Sequence, residues 1–138
     1  MSPQVARFEA ALAHMAQVPW GVSTVSGTLA LELALEAGGV GAGDEVLVPA
    51  LAAFGTLAAV ARTGALPVVV DVSPGTLTLA PDQVDVAITE RTRAVIPVHA
   101  MGLAPDIAGL RDAAPDLLIL EDMAQGFPGP VEGDVAAL

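Results

Sequence analysis

A strand that is apolar at every position cannot leave either face of its sheet in water, and this chain carries several. "EVLVP" at 45–49, "LPVVVDV" at 66–72, "AVIPVHA" at 94–100 and "DLLILEDM" at 116–123 are nearly unbroken aliphatic runs. Such runs belong to parallel strands buried on both sides. The segments between them are of helical length. "GTLALELALEAGG" (27–39) is an Ala/Leu helix with Gly38 and Gly39 as its stop, and "FGTLAAVARTGA" (54–65) ends at Gly64. "APDQVDVAI" (80–88) has Pro81 at its first helical position, and "PDIAGLRDAA" (105–114) precedes the last strand. An opening helix over 3–16 places Val5, Phe8, Leu12 and Met15 at helical spacing, and the β-branched "GVSTVS" at 21–26 reads as a short strand. Strand and helix alternate, so the expected fold is α/β: one domain over 1–138 with a mostly parallel sheet between two helical layers.

Composition narrows the function. The formal net charge of −11 argues against nucleic acid or an anionic membrane surface as a partner. The longest charge-free apolar stretch, Val46 to Ala61, is too short for a bilayer and contains Pro49 and Gly55. The N-terminus lacks the layout of a signal peptide, so the default expectation is the cytoplasm. There is no Cys, and His14 and His99 are far apart, which provides neither disulfides nor a zinc site. All five basic residues are Arg, and the chain contains no Lys.

Open sheets of this class bind ligands outside the carboxyl ends of their strands, so the residues following each strand are the candidates. In "VSGTLA" (25–30), Gly27 turns the chain and Thr28 and Leu29 open a helix. The free amides, the helix dipole and the hydroxyls suit a phosphate, and they equally suit an ordinary Ser/Thr cap. His99 closes a strand, where a structural role is the more common one. "LLILEDMAQGF" (117–127) runs from an aliphatic strand into Glu121 and Asp122. Asp122, with Gln125 three residues later, is either a helix cap or a buried acid that needs a cation. A protonated pyridine nitrogen is such a cation, because a carboxylate beside it keeps pyridoxal phosphate an electron sink.

The succession of "VSGTLALELAL", "GVGAGDEVLVP", "RTGALPVVVDV", "AITERTRAVIPVHAMG", "LLILEDMAQ" and the pair Gly133-Asp134 resembles the DegT/DnrJ/StrS family of pyridoxal-phosphate sugar aminotransferases over roughly residues 5–134. The resemblance implies the large domain of the aspartate-aminotransferase fold. It implies that Gly27, Thr28 and Leu29 contact the cofactor phosphate, that Asp122 pairs with the pyridinium nitrogen, and that Gln125 hydrogen-bonds the ring hydroxyl. A nucleotide-linked keto-sugar, an amino-acid donor such as glutamate, and a homo-oligomer or complementing chain are implied as partners.

Two departures from the family pattern stand out. The aromatic that stacks on the cofactor ring falls at Ala53, with Phe54 beside it as the expected substitute. The Lys that forms the Schiff base follows the Gly-Asp pair in the family, and these residues hold none. No catalytic residue is therefore assigned, and the 138 residues alone are expected to be inactive in transamination with non-covalent cofactor binding at best. Three explanations stay open here: part of the large domain of a longer enzyme, one half of a split enzyme, or a lysine-free binding module.

Overall fold

The computed structural model describes residues 2–126 and 130–137. Five strands, β1 (Glu45–Pro49), β2 (Leu66–Val70), β3 (Thr92–Val95), β4 (Leu118–Asp122) and β5 (Val135–Ala137), form one sheet in the order β2-β1-β3-β4-β5. Every ladder between them is parallel. The helices are α1 (Pro3–Ala16), α2 (Gly27–Ala37), α3 (Phe54–Arg62), α4 (Pro81–Ala87) and α5 (Ile107–Ala113), with a 3-10 turn at Ala100–Gly102.

Strand alternation explains the two-sided burial of β1, β3 and β4, whereas β2, at the edge of the sheet, leaves Leu66 and Val69 each 57% exposed. Val46, Val48, Ala94, Ile96 and Leu120 pack with Leu31 and Leu35 of α2 and Ala59 and Val60 of α3. The intervening Leu47, Val95 and Ile119 pack with Val84 of α4 and Ile107 and Leu110 of α5. The expected three-layer α/β arrangement is thus present. The chain leaves β1 for β2 on one side and later returns to β3 on the other, so the order reverses between β1 and β3. A crevice forms at the carboxyl ends of the strands at such a reversal.

Local chemistry fixes the element ends. Ser2 Oγ accepts from Val5 N at the start of α1, and Ser26 Oγ accepts from Leu29 N at 3.2 Å at the start of α2. α3 ends where Thr63 leads into Gly64, whose φ of +86° only glycine adopts without strain.

Four expectations need correction. Residues 21–26 form no strand: Val22 is 79% and Val25 92% exposed, and with no neighbouring strand the β-branched pair has nothing to pair with or pack on. The segment is held instead by Glu9 Oε1, which accepts from the amide and hydroxyl of Ser23, both at 2.8 Å. In α1 the larger apolar residues Val5, Phe8 and Met15 point outward, while Ala13 and Ala16 are the buried ones. The ladder of the third strand ends at Val95, short of His99, because Pro97 cannot donate to it; pairing resumes only as an isolated bridge between Val98 and Asp122. Finally, β5 was not expected, since three residues are too few to show a period.

No described helix is long and apolar enough to cross a membrane.

Candidate functional site

Asp122 ends β4 and is only 7% exposed. Its Oδ2 accepts from the Thr56 hydroxyl at 2.8 Å, and its Oδ1 accepts from Ala124 N at 3.3 Å. Among the described residues no cation is paired with it. The carboxylate is therefore oriented and partly desolvated but not neutralised, a costly state unless a positive group completes it. That property is what a pyridinium nitrogen requires of a partner.

The preceding residue is satisfied from within the protein. Glu121 is fully buried; its Oε2 lies 2.7 Å from His99 Nε2, and its Oε1 accepts from Glu132 N at 2.7 Å and Gly133 N at 2.6 Å. Burial alone would raise its pKa, but the bonds from His99, Gly133 and Glu132 together hold it below the ordinary carboxylate value. His99 is thus Glu121's partner in the wall of the site.

The next residue pair, Gly133-Asp134, is also structural. Asp134 Oδ2 accepts from Ile119 N at 2.8 Å and from Arg111 Nη2 at 2.6 Å. A Cβ on Gly133 would lie 2.8 Å from the Ile119 carbonyl oxygen, a backbone atom that cannot swing away. Gly133→Ala is expected to destabilise the fold by about 1–3 kcal/mol, read as a lower denaturation midpoint. An unchanged midpoint would show that this approach is not tight.

α3 joins the remaining parts through its first turn. Phe54 opens the helix and is 85% exposed, with Ala53 at the N-cap. Gly55 faces Thr28 of α2 so closely that a Cβ there would sit 2.6 Å from Thr28 Oγ1. Thr56 turns the other way, to Asp122. Three successive residues thereby present an aromatic ring, border the start of α2 and hold the acid of β4.

At the start of α2, the Gly27 and Thr28 amides have no acceptor among the described residues, whereas Leu29 N is engaged by Ser26 Oγ. The Ser/Thr cap therefore exists, and it leaves two amides beside it. Gln125 is exposed; its Oε1 accepts from Met101 N at 2.9 Å, so its amide NH2 remains as the donor. Met101 has a left-handed φ of 54°, uncommon for a residue with a side chain and frequent at functional sites. Sequence reasoning missed Thr56 and noted Glu121 without giving it a role. The signal for Glu121 was its place beside Asp122; for Thr56 there was none beyond its position two residues after Phe54.

Known proteins resemble this chain in both sequence and fold. A family model described as the DegT/DnrJ/EryC1/StrS aminotransferase family matches residues 1–137. An L-glutamine:2-deoxy-scyllo-inosose aminotransferase of Streptomyces fradiae is 45% identical over 129 residues, 92% of this chain and 30% of that protein. A "Pleiotropic regulatory protein" of Geobacillus stearothermophilus is 39% identical over 131 residues, 94% of this chain and 35% of that one. Among solved structures, NtdA of Bacillus subtilis with bound cofactor PMP aligns with a TM-score of 0.90 at 35% identity, covering 93% of this chain and 30% of its own. DesV of S. venezuelae aligns with a TM-score of 0.89 at 42% identity, covering 91% and 34%. The chain spans about a third of the length of these relatives. With both sequence and fold in agreement along nearly its whole length, the chain belongs to the DegT/DnrJ/EryC1/StrS aminotransferase family.

Proposed function

We propose that these residues form the cofactor-binding part of an aminotransferase that transfers an amino group to the ketone of a nucleotide-linked sugar, with an amino acid as donor. The observation that carries the reading is Asp122, a buried carboxylate oriented by a hydroxyl and lacking a cation among the described residues. Pyridoxal or pyridoxamine phosphate, when bound, would supply the electron sink that lets the amino group migrate.

Each residue has a distinct part. The Gly27 and Thr28 amides and the Thr28 hydroxyl bind the phosphate at the positive end of the α2 dipole, while Leu29, its amide held by Ser26 Oγ, borders them. Asp122 holds the proton on the ring nitrogen. Gln125 donates its amide NH2 to the ring oxygen, because its own oxygen is taken by Met101 N. Phe54 lies against the ring, which supports a use for a large aromatic left in solvent. The Glu121–His99 pair keeps the wall in place. No lysine lies within these residues, so their own hold on the cofactor is non-covalent, and the proton transfers of a full turnover need a base that they do not supply. A second copy of the chain or a complementing chain completes the substrate pocket.

Titration of the protein with pyridoxamine phosphate, followed by ligand fluorescence, tests the reading. Saturable binding that dialysis reverses is expected, with much weaker binding of pyridoxamine lacking the phosphate. Equal binding of the two, or none, would remove the reading. Treatment with pyridoxal phosphate and borohydride is expected to leave no side-chain adduct.

A further inference from the structure

We propose that Thr56 is the positioning residue of this site, its hydroxyl setting the Asp122 carboxylate against the cofactor's ring nitrogen. The inference rests on the cofactor reading above and adds a residue acting through Asp122.

Thr56 is the third residue of α3 and is fully buried. A threonine inside a helix commonly turns its hydroxyl to the carbonyl one turn back, and a buried β-branched position with no polar task is equally well filled by Val. Neither describes Thr56. Its hydroxyl donates to Asp122 Oδ2 at 2.8 Å, across 66 positions of sequence. A buried hydroxyl and a buried carboxylate each cost free energy to desolvate, and the bond between them offsets part of both.

The other carboxylate oxygen is held loosely. Oδ1 has the Ala124 amide at 3.3 Å, near the long limit of a hydrogen bond. An ionised carboxylate accepts about four hydrogen bonds, so the Thr56 and Ala124 donors fix the plane of the group and leave acceptor capacity for a third. The lever arm is short and stiff: Gly55, next to Thr56, packs against Thr28 at the start of α2. One turn of α3 therefore sets the acid and borders the phosphate-binding residues together, which keeps the spacing between two ends of one ligand.

The test compares pyridoxamine phosphate with the analogue in which carbon replaces the ring nitrogen, both titrated into the protein and its variants. The natural protein is expected to prefer the nitrogen ligand. Thr56→Val keeps shape and removes the donor, so its affinity for the nitrogen ligand should fall about 10- to 100-fold, the value of a hydrogen bond to a charged group. Its affinity for the carbon analogue should not change, and Thr56→Ser should restore the preference. Equal weakening of both ligands would assign Thr56 to general packing, and no weakening of either would deny the hydroxyl a part; each overturns the proposal while leaving the site reading intact. A natural protein that binds the two ligands equally would overturn the Asp122 contact itself, and the proposal with it. If Thr56→Val does not fold, Thr56→Ser against Thr56→Ala carries the same comparison.

Discussion

Replacing Asp122 by Asn is expected to cost the protein most of its affinity for pyridoxamine phosphate while leaving its thermal stability in the absence of ligand unchanged or higher. Removing one partner of a buried, hydrogen-bonded charge pair costs about 2–5 kcal/mol in binding, which is roughly 30-fold to several thousandfold. Asn keeps the size of the side chain and an oxygen that can accept from Thr56 Oγ1, 2.8 Å from Oδ2, and gives up only the long 3.3 Å bond from Ala124 N. What it removes is a charge that meets no cation among the described residues, and burying such a charge opposes folding. Ligand affinity and stability should therefore move in opposite directions, which residues kept for packing do not do. Titration and a thermal melt of the same samples decide the matter. A melting temperature that drops together with the affinity would place Asp122 in the folding machinery instead.

The family pattern and the physical pattern of the sequence agreed because both are carried by the same strands. The aliphatic runs of β1, β3 and β4 needed two covered faces, and α2 and α3 on one side with α4 and α5 on the other cover them. The start of α2 was legible because a Ser-Gly-Thr step carries its own cap, now seen as Ser26 Oγ to Leu29 N. Residues 21–26 misled for the same reason that makes propensity a weak guide: Val22 and Val25 have strand-forming shapes, but no ladder lies beside them. The contacts that build the site were not legible at all. Thr56 reaches Asp122, and His99 reaches Glu121, only because the sheet order sets the end of β4 beside the 96–99 segment that continues β3 and α3 above both. Register of that kind is a property of the packed sheet, and a single chain of letters does not print it.

Glu121→Ala should produce the largest loss of stability of any change near the site. The side chain satisfies His99 Nε2 and the amides of Glu132 and Gly133 from a fully buried position. Alanine leaves all three groups facing a cavity, and each buried polar group left unsatisfied costs about 1–3 kcal/mol, together a large share of the roughly 5–15 kcal/mol typical of a domain. Acid should reproduce part of this loss in the natural protein. Glu121 has a folded-state pKa below its ordinary 4.5, so on acidification the unfolded chain takes up the proton before the folded one does. Its contribution is complete above about pH 4.5 and is lost as the pH falls through the lower folded value. Asp134, Glu9 and Glu45 are shifted in the same direction, so the acid limb of the natural protein alone does not isolate Glu121. Glu121→Gln removes this one carboxylate while the other three remain, and the difference in denaturation midpoint between the natural protein and the variant should shrink as the pH falls below about 4.5. A difference that stays constant to pH 3 would mean that Glu121 holds the wall through shape rather than charge.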